Sequence, residues 1–171
     1  MTDATETDDR LPQPEDGDER SLALGWLDYY RDAVRAKCAG LSPEDLAARS
    51  APPSVLSLLG LVRHLAEMEN AYGAWPLSTG TPFAWVWGEY ADDHEDDVDC
   101  GPQDVEVSFR VWRERCAATD AALADVPDLA AVAPANGRSV RWNLAKLAGE
   151  YARHCGHADL LRERIDGATG E

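Results

Sequence analysis

An all-α four-helix bundle with one long crossover is the fold class that this chain predicts. Four long stretches repeat apolar side chains at helical spacings of three and four, and no stretch alternates apolar and polar residues as a half-buried strand would. The connection between the second and third stretches is much longer than the others. It is long enough to retrace a helix of ~30 Å, so the third helix can start parallel to the second.

The first 19 residues differ in composition from the rest of the 171-residue chain. Residues 3–19 contain eight acidic side chains and few apolar ones, and Pro12, Pro14 and Gly17 disfavour a helix. Low hydrophobicity combined with high charge is typical of disorder. We therefore expect a disordered acidic tail over residues 1–19, followed by one bundle domain over residues 20–171.

The first helical pattern runs from about Ser21 to Cys38, and Gly40 provides a C-terminal stop. Ser42 and Pro43 then supply an N-cap and a proline at the first helical position. This pair predicts a short helix between the first and second long ones.

The second long helix is predicted from about Val55 to Ala74, and Pro76 ends it. Its inner face is apolar and consists of Leu58, Leu59, Val62, Leu65 and Ala66. The crossover that follows carries Trp85 and Trp87, which are costly to leave in water. We expect both indoles either to pack the crossover against the bundle or to cover a binding site.

The third helix is predicted from about Asp104 to Ala124, where Pro127 closes it. The fourth begins after Ser139, a good N-cap, and continues to about Ile165. Rotation by 100° per residue places one apolar arc on this last helix, made of Val140, Leu144, Leu147, Tyr151, Ala158, Leu161 and Ile165.

Charge and cysteine usage limit the classes of partner. The net charge of −16 argues against binding to nucleic acid or to an anionic membrane. The acids are concentrated, because 17 of 32 lie in residues 3–19 and 89–106. The four cysteines show no disulfide spacing, and the acidic N-terminus does not resemble a signal peptide. These features favour a cytoplasmic protein with reduced thiols.

Glu150 and His154 are the residues that point to chemistry. They are four apart on the last helix, so they lie on the same face, and that face borders the apolar arc. A buried carboxylate needs compensation, and a metal ion would provide it. A hydrogen-bonded Glu/His pair or a satisfied core histidine would fit the same spacing. A metal would need a ligand from another helix, and His64 is the candidate, although a partly exposed helical histidine is the alternative there.

Two sequence motifs resemble a known family. The first motif is Pro52-Pro53-Ser54 leading into Leu58-Leu59-Gly60-Leu61-Val62-Arg63-His64-Leu65. The second motif is Glu150-Tyr151-Ala152-Arg153-His154-Cys155-Gly156-His157-Ala158-Asp159-Leu160-Leu161-Arg162-Glu163 with Ile165-Asp166-Gly167. Both resemble the DinB superfamily, specifically its DUF664 branch. The resemblance covers residues 21–171 and implies a bundle that holds a divalent metal between its helices.

The resemblance also implies which residues bind the metal. A histidine of the second long helix corresponds to His64, and a pair four apart on the last helix corresponds to Glu150 and His154. Many relatives carry histidine where this chain has Glu150, but mycothiol-dependent maleylpyruvate isomerase is similar in using a His/Glu/His zinc set. His157 stands where many relatives carry glutamine, which implies a role beside the ligands. Lys146 stands where close relatives carry histidine.

Two imidazoles and one carboxylate leave a tetrahedral zinc one open position, and iron, nickel or manganese would also accept this set. Several similar proteins transfer a small thiol such as mycothiol to an electrophile, which implies that reaction here. Arg63 and Arg153, with the two crossover indoles Trp85 and Trp87, are candidates to bind the thiol or substrate. A metal-dependent hydrolase and a non-enzymatic, metal-stapled binding protein are the alternatives. A homodimer is left open.

Overall fold

Five α-helices make up the bundle in the computed structural model, which describes residues 10–88 and 98–170. Four of the helices are long and one is short. They are α1 (Glu19–Cys38), α2 (Pro43–Ala47), α3 (Leu58–Met68), α4 (Val105–Ala124) and α5 (Val140–Asp166). Within the described residues there is no strand, and one isolated bridge joins Val132 to Ser139. The all-α prediction is confirmed.

Side-chain caps fix where the helices begin. The Ser139 hydroxyl accepts a hydrogen bond from the backbone N–H of Trp142, so α5 starts as predicted. The second long helix starts later than predicted, at Leu58 rather than Val55, because Ser57 is its N-cap and accepts from the N–H of Gly60. After Met68 the same helix continues as a π-helix over Glu69–Ala74 and then a 3₁₀ turn over Trp75–Leu77.

Contacts between the long helices show their directions. Glu69 contacts Cys116 and Gly73 lies against Thr119, so the contacts advance along α3, its π-helical extension and α4 in the same direction. These elements are therefore parallel, as the long crossover predicts. The Glu19–Arg141 and Lys37–Asp159 ion pairs likewise make α1 parallel to α5. His64 contacts His154, and the later residue Tyr72 contacts the earlier residue Trp142. Residue numbers therefore rise along α3 and its extension as they fall along α5, so the two are antiparallel.

The hydrophobic core forms along the predicted inner faces. All five apolar residues assigned to the second long helix are buried, and so are six of the seven assigned to the last one, with Ile165 partly buried. Gly73 permits close packing here, because a Cβ at this position would lie 2.0 Å from the Thr119 hydroxyl oxygen. The π-helical extension of α3 therefore packs closely against α4.

A buried polar network crosses the core. The Arg31 guanidinium donates two hydrogen bonds to the Glu69 carboxylate, at 2.8 and 2.9 Å, and Arg31 also pairs with Asp120 at 2.8 Å. The Tyr151 hydroxyl donates to Glu69 at 2.8 Å and accepts from the Trp112 indole N–H at 2.7 Å. Glu69 is 0% exposed, so these partners supply the polar contacts that water cannot.

The N-terminal segment is described from residue 10 onward. The backbone N–H of Leu11 donates to Asp32 at 3.0 Å and the Gln13 amide donates to Tyr29 at 3.3 Å, so residues 11–13 lie along the outer face of α1. Residues 1–9 lie outside the described part, and disorder over residues 1–19 stays a prediction. Over residues 10–88 and 98–170, no helix combines the length and the apolar composition that crossing a bilayer requires.

Candidate metal centre

Two helices bring the three predicted ligands together. His64 lies in the middle of α3, and Glu150 and His154 lie one turn apart on α5. Because α3 and α5 are antiparallel neighbours, one imidazole faces the other pair across the helix interface. Each residue offers one ligand atom, and these atoms all lie within 4.8 Å of one another.

The distances suit a single cation. One carboxylate oxygen of Glu150, Oε2, lies 3.9 Å from Nε2 of His64 and 3.6 Å from Nε2 of His154. Two atoms that each bind zinc at ~2.1 Å can be at most ~4.2 Å apart, so both distances fall inside that limit. All ligand atoms of the cluster lie within 4.8 Å of one another. This donor set therefore fits a divalent metal.

The ionisation states also suit a metal. Burial alone would raise the pKa of the Glu150 carboxyl, but the hydrogen bond and positive charge of Lys146, followed by the nearby His64 and His154, hold that pKa below its ordinary value. Burial lowers the pKa of His154 to about 4, and His64 and His157 contribute in the same direction. At neutral pH this gives an anionic carboxylate and a neutral imidazole, the forms that bind a metal.

Lys146 makes a contact with Glu150 that was not among the sequence predictions. Its ammonium donates to Oε1 of Glu150, and its Nζ lies 5.5 Å from the centre of the Tyr72 ring. The contact directs the other carboxylate oxygen, Oε2, towards the two imidazoles. The spacing of four from Glu150 on a helix was the signal available in the sequence.

His157 contacts a predicted ligand rather than joining the cluster. Its Nδ1 lies 3.1 Å from Nδ1 of His154, while the Nε2 atom of His154 faces Glu150. A hydrogen bond at one ring nitrogen fixes the orientation of the other, as is common around metal-binding histidines. His157 thus lies against His154, and its role beside the ligands stays a prediction.

The other predicted binding residues divide into two groups. The Arg63 guanidinium lies over the Trp87 ring at 3.9 Å, and the Trp87 indole N–H donates to the Arg63 carbonyl at 2.9 Å. Arg63 directly precedes His64 in the chain. Trp85 packs edge-on against Phe83, with ring centres 4.6 Å apart. Arg153 is exposed on α5. The structure thus brings Arg63 and Trp87 together, without Trp85 or Arg153.

A buried carboxylate holds the crossover in this place. Glu67 is 0% exposed, and its two oxygens accept hydrogen bonds from the backbone N–H groups of Val86 and Trp87 at 2.8 to 2.9 Å. No pattern in the sequence predicts this contact, because the acceptor and its donors are about 20 residues apart. Its position one turn after His64 means that the crossover is fixed directly beside the proposed ligands.

Replacing Glu67 with alanine should release the crossover. We expect the free energy of unfolding to fall by about 2 kcal/mol, because buried N–H donors lose a charged acceptor. Urea denaturation measures this loss, and limited proteolysis should show new cleavage near Val86. Glu67→Gln, which keeps one acceptor oxygen, should lie between the wild type and Glu67→Ala. Unchanged proteolysis in both variants would contradict the anchoring role.

The chain's own thiols are poor nucleophiles. All four cysteines are free. Burial raises the pKa of Cys38 and of Cys155 to about 12, with Asp159 adding to the effect at Cys155. Burial also raises the pKa values of Cys100 and Cys116. Because the thiolate is the reactive form, none of these sulfurs is suited to attack a substrate at neutral pH.

Comparison with known proteins gave one match. A family model described as Mycothiol-S-transferase matches residues 22–167, a region that contains all three clustered residues. Neither the curated proteins nor the solved structures contain a match to the chain.

Proposed function

This chain belongs to the mycothiol-S-transferase family, which is of the DinB type, and from this premise we propose that it is a divalent-metal-dependent enzyme that transfers mycothiol to a small electrophile. The observation that carries the proposal is the convergence of His64, Glu150 and His154 within the matched region. The donor set, with two imidazoles and one carboxylate, leaves a position open for a ligand from outside the protein.

His64, Glu150 and His154 would hold the cation. A bound cation supplies one kind of chemistry here, which is to favour the thiolate form of a thiol at neutral pH. Zinc fits this donor set best, and iron, nickel and manganese also accept it. Lys146 keeps Oε1 of Glu150 occupied, so Oε2 remains directed at the histidines.

The reaction that this arrangement supports is a substitution or an addition at carbon. The thiol gives its proton to solvent and its sulfur forms a bond to an electrophilic carbon. In an alkyl halide the carbon–halogen bond breaks and halide leaves with the electron pair. In an epoxide a ring C–O bond breaks and the resulting alkoxide takes up a proton from solvent. The protein's own cysteines have raised pKa values, so a thiol co-substrate must supply the sulfur. This is the contribution expected of mycothiol.

The Arg63–Trp87 pair is the proposed contact surface for the co-substrate. Arg63 precedes His64 directly in the chain, and the pair presents a cation against an indole in the part of the crossover that Glu67 anchors. Trp85 and Arg153 are the other candidates for this role. A hydroxyl-rich thiol can stack on an aromatic ring and donate hydrogen bonds to nearby backbone carbonyls.

A conjugation assay on purified protein tests the proposal. Metal content is measured first, and product formation from mycothiol and a panel of alkyl halides and epoxides is then followed with and without a chelator. We expect metal-dependent conjugation that prefers mycothiol over free cysteine. Metal-loaded protein that conjugates no member of the panel with any thiol would overturn the proposal.

A further inference from the structure

A groove lies between α1 and α5. Its volume is about 760 Å³, and small residues of α5 form its floor. Aromatic residues of α1 form one wall, with the Trp26 ring stacked on the Tyr30 ring at 5.5 Å. We call this surface the α1/α5 face, defined by Ala23, Trp26, Tyr30, Ala145, Ala148, Gly149 and Ala152.

The α1/α5 face is on the opposite side of α5 from the proposed metal site. Ala152 follows Glu150 by two residues, which is a rotation of about 200° around a helix. Ala145 and Ala148 lie on the same side as Ala152. An occupant of the groove would therefore leave the metal site accessible, and the groove is unsuited to bind a substrate of that site.

The composition of this face is unusual for a surface in water. Arg141 and Trp142 lie at one end of the groove, and beyond them the outward-facing positions of α5 are 145, 149, 152 and 156. All four are exposed and carry only alanine or glycine. In a chain with 28% charged residues, a solvent-facing helix surface would normally carry several charges. A Cβ added at Gly149 or Gly156 would meet no atom within 4 Å, so another backbone can approach closely.

The face is complementary to itself. It carries a partly exposed aromatic pair, Trp26 and Tyr30, and beside it a strip of small residues, so a two-fold axis would place each Trp26 on the partner's strip. Two neighbouring helices of about 20 residues present a surface of roughly 30 by 20 Å, or ~600 Å². This approaches the ~800 Å² that each partner buries in a stable dimer.

Charge favours one orientation of the two copies. The rim of the groove has one ion pair, Glu19 with Arg141 at 3.0 Å, so the face itself is nearly neutral although the chain carries −16. Acidic residues Glu15, Asp16 and Asp18 precede α1 at this end. An antiparallel arrangement of the two α5 helices keeps the two acidic ends far apart, whereas a parallel arrangement would bring them together.

We propose that a second copy of this chain occupies the α1/α5 face, forming a two-fold dimer in which the two α5 helices cross in antiparallel orientation near Ala148 and Gly149. In that arrangement position 145 of one protomer lies opposite position 152 of its partner. The two proposed metal sites then face outward on opposite sides of the dimer.

Sedimentation analysis of the full chain over a range of concentrations tests this, with metal and with chelator. The wild type should be dimeric in both conditions, and Ala152→Glu should raise the dimer Kd by at least ~100-fold, because each substitution buries two unpaired charges in a symmetric contact. Ala145→Lys should dissociate the dimer equally. An equimolar mixture of the two variants should restore it, since each lysine would face a glutamate of the partner.

Ala121→Glu is the matched control, because Ala121 is an exposed alanine on α4 outside this face. It should leave the dimer intact, and circular dichroism should show that all three variants fold. A monomeric wild type would overturn the proposal, as would a dimer that Ala152→Glu leaves unchanged. If Ala152→Glu and Ala145→Lys are each monomeric alone and their equimolar mixture is also monomeric, the antiparallel arrangement is wrong. None of these outcomes depends on the transferase activity.

Discussion

Replacing Glu69 with alanine is expected to lower the free energy of unfolding by about 3–5 kcal/mol, among the largest losses that a single substitution should cause here. The side chain is 0% exposed and accepts hydrogen bonds from Arg31 and Tyr151. Its removal leaves the guanidinium, itself only 8% exposed, without its bidentate acceptor in the core. Urea denaturation measures the change.

An exposed ion pair provides the control for this prediction. Arg110 and Glu114 pair at 3.2 Å on the surface of α4, where both side chains are more than half exposed. Glu114→Ala should therefore change stability by about 0.5 kcal/mol or less. Replacing Arg31 and Glu69 together by methionine and leucine should cost far less than Glu69→Ala alone, since no buried charge is then left unpaired. Asp120 also loses Arg31, but its side chain is 57% exposed and water can solvate it. A small loss in Glu69→Ala would contradict the importance of this network.

Alanine at Glu150, His154 or His64 should abolish metal binding. Each substitution removes one of three converging ligand atoms, and the remaining two cannot complete the site. Metal content after dialysis, measured by mass spectrometry, gives the answer without reference to activity. Circular dichroism should remain helical, because these side chains contribute less to the apolar core than Leu147 or Tyr151.

His157→Gln is the matched variant for the metal experiment. It changes a histidine on the same helix that contacts His154 but does not belong to the cluster. The metal should be retained, and affinity or activity should fall by at most ~10–100-fold. Full occupancy in Glu150→Ala together with loss in His157→Gln would show that the ligand has been assigned to the wrong residue.

Much of the fold could be predicted because its causes are local. Ser139 and Ser42 are caps that act within one turn, and the apolar arc of α5 follows from helical spacing alone. The predicted start of α3 at Val55 is three residues early, because Ser57 is the N-cap and the helix begins after it, at Leu58. The direction of α4 followed from the length of the crossover.

The buried carboxylates Glu67 and Glu69 were not predicted, because their partners are distant in sequence. Glu69 lies seven residues after Val62 and so shares the apolar face of its helix. That position was the one indication in the sequence that its carboxylate is buried. Nothing local identifies Arg31 as its partner. Glu67 likewise binds backbone groups of the crossover, which no side-chain pattern encodes. For the metal cluster, sequence spacing indicated Glu150 and His154, whereas His64 depended on the relative placement of two helices.

The hydrogen bond from Trp112 to Tyr151 makes one indole proton a reporter of the whole bundle. Trp112 is 5% exposed and its N–H is held at 2.7 Å in the core, while Trp142 is 40% exposed. In heavy water, the Trp112 indole proton can exchange for deuterium only when α4 separates from α5, an opening close to global unfolding. The Trp142 proton should exchange without such an opening. Two indole resonances thus separate global opening from surface fluctuation without any added label.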